Sequence, residues 1–178
     1  MRKIWGYIVS FFKSLIGTIF GDKKETFDNN KVYIRYDKEQ PQDDNEEWGT
    51  LYFKGLECRF ISGRWGRGYA PRGIYRGYKF IQYDKTDPEH FKRMGAFGLS
   101  FQVPLEFISL SKDATPKEKE RSIGMTGIAI HFDDPINGIE GTLGCFGLQP
   151  ENLDHAVRLL NVFKQWFENN TILDVEVY

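Results

Sequence analysis

The chain has 178 residues, enough for one domain with extensions or at most two small ones. Lys plus Arg is 24 and Asp plus Glu is 25, a net charge of −1, so the chain as a whole makes no case for nucleic-acid binding. Two cysteines exclude a disulfide scaffold of the secreted-miniprotein kind, and with three histidines no His and Cys spacing reads as a zinc site.

The opening "MRKIWGYIVSFFKSLIGTIFG" has the apolar content of a signal peptide or a membrane span. Lys13 interrupts it, and no A-x-A-like cleavage site follows. At about 100° per residue, Ile4, Trp5, Ile8, Phe11, Phe12, Leu15, Ile16 and Ile19 share one half of a helical wheel. Residues 1–21 therefore read as an amphipathic helix. Residues 3–20 would cover their apolar face with the chain's own domain, a partner protein or a membrane surface. An uncleaved anchor or signal is the remaining alternative.

Residues 22–47 read as a linker with one short strand, "KVYIRYD", followed by the acidic, proline-containing loop "KEQPQDDNEE". From Trp48 onward come strand-rich runs: "GTLYFKGLECRFIS", "GIYRGYKFIQY", "FGLSFQVPLEFISL" and "GMTGIAIHF". "SKDATPKEKERS" reads as a charged surface loop. "PENLDHAVRLLNVFKQWFENN" is the clearest helix, with Pro150 at its start and Leu153, Val157, Leu160, Phe163 and Phe167 as its apolar stripe. "TILDVEVY" closes the chain as a strand. This order predicts a mainly β domain over 48–178: an antiparallel sandwich or barrel with one helix packed late, preceded by the amphipathic helix.

Cys145 stands between Gly144 and Gly147, downstream of His131 at the end of an apolar run. Either this is a glycine-rich turn that happens to carry a cysteine, or it presents a thiol for chemistry. In the second reading His131 is the base, Gly144 and Cys145 offer N–H groups to an oxyanion, and Thr142 adds a hydroxyl. Asp133 and Asp134 turn the loop or tune the histidine. "CRFISGRWGRGYAPRGIYRGYK" carries Arg64, Arg67 and Arg72 among aromatics that include Trp65 and Tyr69. It is a solvated loop, a wall for an anionic substrate or, least in keeping with the balanced charge, a nucleic-acid arm. Cys58 is expected in the core or at an edge, His90 on the surface, and His155 in a structural role.

These segments resemble the catalytic motifs of the L,D-transpeptidase family. There, a histidine follows an apolar strand and a loop leads to a Ser-x-Gly-Cys element. His131, Thr142 (in the serine position), Gly144 and Cys145 match. Upstream, Ser62, Gly63, Pro71, Gly73 and Tyr75 fit the family's serine–glycine pair and Thr-Pro-x-Gly-x-aromatic segment, with Ala70 in place of threonine. "FQVPL" resembles the strand ahead of the histidine, and the match spans roughly residues 48–150. The chain departs from the family at Phe132, Leu143 and Gly147, where a glycine, a polar residue and an arginine are usual. Divergent phage and interbacterial-toxin relatives look similar at "GTLGCFGL".

The resemblance implies an L,D-transpeptidase-like fold and acyl transfer on peptidoglycan stem peptides through a Cys145 thioester, with no metal or cofactor. Arg64, Arg67, Arg72, Tyr69 and Asp133 would face the substrate. The implied setting is the cell envelope, or export into a target cell. The alternative is a non-catalytic binding or structural module of a phage or secretion apparatus that keeps the fold.

Overall fold

The computed structural model describes residues 27–37, 46–63, 68–84, 86–89, 94–133 and 144–178. The expected helix over 3–20, most of the acidic loop (38–45), Arg64, Trp65, Arg67, His90, Asp134, Thr142 and Leu143 lie outside the described residues.

Alternation decides most of the strands. In β1 (Lys31–Tyr36), Val32, Ile34 and Tyr36 are buried and the residues between them are not. β2 (Glu46–Phe53) buries Gly49, Leu51 and Phe53 on the same principle. β3 is Leu56–Gly63, β4 Gly73–Gly77, β5 Ile81–Gln82, β6 Gly95–Ala96 and β7 Leu99–Leu110. A short helix, α1 (Pro116–Ser122), precedes β8 (Ile128–Phe132) and β9 (Phe146–Gln149). The long helix α2 (Leu153–Asn169) and β10 (Leu173–Val177) end the chain.

Eight strands close into a barrel in the order β4–β10–β1–β2–β3–β9–β8–β7, with β7 pairing back to β4. Six seams are antiparallel, whereas β1–β10 and β8–β9 are parallel. The expected mainly β, barrel-like fold with one late helix is thus what forms. The barrel starts earlier than expected: β1 is a wall strand between β10 and β2, not part of a linker.

The run from Gly49 to Ser62 is split by a tight hairpin at Lys54 and Gly55, both at positive φ (51° and 76°). This is the turn that matches strand twist in two-residue hairpins. Pro104, inside the twelve-residue β7, sits where the β4 ladder has ended at Leu105 and the β5 ladder begins at Gln102. Its missing N–H therefore costs no partner there.

"SKDATPKEKERS" is not simply a loop: it contains α1. Thr115 accepts from the Glu118 N–H at 3.2 Å, the Glu118 carboxylate accepts from the Thr115 N–H at 2.7 Å, and Pro116 fills the first turn. Two otherwise orphaned donors are satisfied reciprocally, which offsets the cost of so short a helix.

α2 forms where its pattern placed it, capped by Asn152, which accepts from the His155 N–H at 2.9 Å. Its buried face differs from the expected stripe. Leu153 and Val157 are 49% and 37% exposed, and the burying residues are Ala156, Leu159, Leu160, Phe163 and Trp166. The helix plugs one end of the barrel. Phe163 packs on Phe53 and Phe101 with ring centroids at 5.1 and 5.4 Å, and Trp166 meets Phe53 edge-on while its indole N–H donates to the Ile172 carbonyl. The small Ala156 and the satisfied indole select this rotation. His155 is buried on the same face and its Nδ1 accepts from the Glu151 N–H, a structural role.

Candidate active site

The opposite mouth of the barrel carries the polar chemistry. The C-terminal ends of β1, β3, β7 and β10 and the N-terminal ends of β2, β4, β8 and β9 converge there, as the antiparallel and parallel registers require.

Ser62 organises this mouth. It is fully buried, its Oγ accepts from the Ala70 N–H at 2.9 Å, and its hydroxyl lies 3.4 Å from the Gly144 carbonyl. Gly144 has φ +119°, and a Cβ on it would come within 3.0 Å of the Gly68 carbonyl. A side chain there would be both strained and crowded, so the close approach of strands β3 and β9 with the 68–70 strap depends on glycine. Tyr36 secures the strap from inside, its hydroxyl donating to the Ala70 carbonyl at 2.6 Å. The two sequence blocks that carry the resemblance, around Ser62–Tyr75 and Gly144–Cys145, thus meet at one place.

Cys145 immediately precedes β9, and His131 lies in the adjacent parallel strand β8. Ile130 pairs with Phe146 and His131 with Gly147. By strand alternation, Ile130 and Phe146 point into the core, so His131 and Cys145 share the outward face, two residues apart in register. Strand spacing of about 4.8 Å and a two-residue offset of about 6.6 Å put their Cα atoms roughly 8 Å apart, within reach for converging side chains.

The His131 Nδ1 lies 2.6 Å from the Phe132 carbonyl. A carbonyl only accepts, so Nδ1 carries the proton and Nε2 keeps its lone pair. Burial lowers the His131 pKa, partly countered by that bond, so the ring is neutral at neutral pH. Burial pushes the Cys145 thiol up to about 11, partly offset by a backbone bond from Ala129. The thiol donates to the Gly127 carbonyl at 3.5 Å. The pair is therefore a neutral thiol and a neutral base rather than a preformed ion pair. Cys58 sits in the core as expected, 2% exposed, with its thiol pushed up to about 12 by burial; neither cysteine is in a disulfide.

The other expected site residues divide. Asp133 is buried just beyond His131, its N–H donating to the Leu148 carbonyl at 2.9 Å. Tyr69 packs edge-on against Tyr36, and the Arg121 guanidinium lies 4.2 Å over its ring. Arg72 does grip a carboxylate bidentately, but it is the chain's own Glu118, through Nε at 2.8 Å and Nη2 at 2.7 Å.

Sequence reasoning missed an opening of about 150 Å³ at this mouth, lined by Tyr36, Asp37, Glu47, Tyr69, Arg72, Glu118 and Tyr178. Burial and then the neighbouring Glu118 raise the Glu47 pKa to about 7. Glu118 is held at about 2: burial opposes ionisation, but hydrogen bonds from Arg72 and from the Thr115 and Arg72 N–H groups outweigh it. Glu47 was hidden at the edge of an acidic stretch. Extending the inward alternation of Phe53, Leu51 and Gly49 back by one step finds it.

Among the described residues no group of His, Cys, Asp and Glu is arranged to hold a metal, and no helix is long and apolar enough to cross a membrane. Comparison with protein-family models, with curated proteins and with solved structures finds no match.

Proposed function

We propose that this chain is a cysteine acyl-transfer enzyme acting on peptidoglycan stem peptides, with Cys145 as nucleophile and His131 as general base. The observation that carries the reading is the shared outward face of Cys145 and His131 on adjacent parallel strands, with the His131 tautomer fixed so that Nε2 is basic. The substrate class rests on the motif resemblance.

In this mechanism the thiol turns from the Gly127 carbonyl toward Nε2. Because its pKa is near 11, the proton moves to His131 as the sulfur attacks, not before. Sulfur bonds to the substrate carbonyl carbon, and the oxyanion accepts from N–H groups at Gly144 and Cys145. Collapse breaks the C–N bond; the protonated His131 returns the proton to the departing amine, leaving a thioester. Water or a second amine then adds to the thioester with His131 again as base, and the thiol is regenerated.

The test is digestion of purified muropeptides by wild type, Cys145→Ala and His131→Gln, read by product mass. The expected result is loss of the terminal D-residue with wild type, at least about 100-fold slower in either variant. Unchanged products with Cys145→Ala would overturn the proposal. The elevated thiol pKa favours a second reading, a binding or structural module that keeps the fold; an inert wild type would support it.

A further inference from the structure

The opening inside the barrel mouth is separate from the outward face that holds Cys145 and His131. Of the charged side chains that line it, three are already committed. Asp37 is ion-paired with Arg59, and Glu118 with Arg72. Glu47 differs: its carboxyl has no hydrogen bond or ion pair among the described residues. It faces inward at the start of β2, opposite Ser62, into a space walled by the rings of Tyr36 and Tyr69.

We propose that this opening is a binding site for a primary ammonium group on a short alkyl chain, with Glu47 as its counter-ion and the tyrosine rings as its walls. Three features select that ligand class. The open polar group is an acceptor once ionised, so the ligand must donate. Tyr36 and Tyr69 stand in the walls, and aromatic surface accepts an alkyl stem. The volume of about 150 Å³ admits a small head group and excludes a folded polymer segment.

The cations that face Glu47 do not fill this role. Arg72 from the segment before β4 is held by Glu118, and Arg121 from α1 stacks on Tyr69. Lys117, also on α1, and these two arginines lower the Glu47 pKa, but burial and Glu118 outweigh them. Tyr36 is buried neutral, its pKa raised well above normal by burial and then by Tyr75. An ammonium placed against Glu47 would draw off its proton, so binding and proton release are coupled.

The experiment uses the full chain and n-butylammonium chloride, with sodium butyrate as the anionic isostere. Binding is followed by NMR shifts of the Tyr36, Glu47 and Tyr69 amides and by calorimetry in two buffers of different ionisation enthalpy. The expected result is saturable butylammonium binding, about tenfold tighter at pH 8 than at pH 6 because the ionised fraction of a group titrating near 7 rises about tenfold. Proton release should accompany it. Glu47→Gln should weaken binding about tenfold and remove the pH dependence, with thermal stability checked in parallel; Cys145→Ala should leave binding unchanged. The proposal is overturned if butyrate binds as well, if wild-type binding is independent of pH, if Glu47→Gln binds equally, or if no saturable shift occurs. None of these readouts involves acyl transfer, so this inference and the proposed reaction stand or fall separately.

Discussion

Glu118→Gln is the most informative single substitution for the architecture of the mouth. The Glu118 side chain is 1% exposed and accepts four hydrogen bonds: from the Arg72 N–H at 3.0 Å, Arg72 Nε at 2.8 Å, Arg72 Nη2 at 2.7 Å and the Thr115 N–H at 2.7 Å. Its pKa falls from an ordinary 4.5 to about 2. At about 1.4 kcal/mol per pKa unit the ionised form contributes about 3 kcal/mol, and since Arg72 is 28% exposed, screening brings this to about 2 kcal/mol. The folded pKa is depressed, so the contribution is present in full above about pH 5 and is lost as pH falls through about 2. Glu118→Gln should therefore melt roughly 4–8 °C below wild type at pH 7, and the gap should close as pH falls toward 2. Scanning calorimetry at pH 7, 5, 4 and 3 measures it. A gap that stays constant across that range would refute the argument, because the loss would then come from packing rather than from the carboxylate's charge.

Two further outcomes follow from the core and the thiols. Phe163→Ala empties the plug between Phe53 and Phe101 and should cost about 3–5 kcal/mol in urea unfolding; a loss below about 1 kcal/mol would mean that α2 does not close the barrel. With thiols pushed up to about 11 and about 12, Cys145 and Cys58 should both alkylate slowly with iodoacetamide at pH 7, Cys145 first, in intact-mass time courses. Labelling of Cys145 as fast as that of a small-molecule thiol would contradict its burial.

Much of the architecture was legible in the sequence because its signals are local. Alternation in "KVYIRYD" and "TILDVEVY" gave β1 and β10, and the apolar period after Pro150 gave α2. The capping box of Thr115 and Glu118, with Pro116 between them, was equally local, and α1 was obscured only by the charge around it. Lys54-Gly55 was likewise a readable turn inside a run that looked continuous.

The candidate site was legible only in part. Cys145, His131, Ser62 and Gly144 could be named from their motifs; Cys58, expected in the core or at an edge, lies in the core, and His155, expected in a structural role, is buried. The face on which each side chain lies could not be read, because it depends on which strand pairs with which. The parallel β8–β9 seam puts Cys145 and His131 on one outward face, and a one-residue slip would have separated them.

Three contacts decided the rest, all between residues far apart in the chain: Ser62 with Gly144, 82 residues on; Tyr36 with Ala70, 34 on; and Arg72 with Glu118, 46 on. The last of these turned an arginine that composition offered to a substrate into a structural clamp. It also left the Glu47 carboxyl without a hydrogen bond or ion pair among the described residues. The sequence by itself determined the strands, the helices and the residue types available for chemistry, since propensity and periodicity act within a few residues. Barrel closure alone decided which of those groups meet, because hydrogen-bond register and burial are set by partners that the local sequence does not contain.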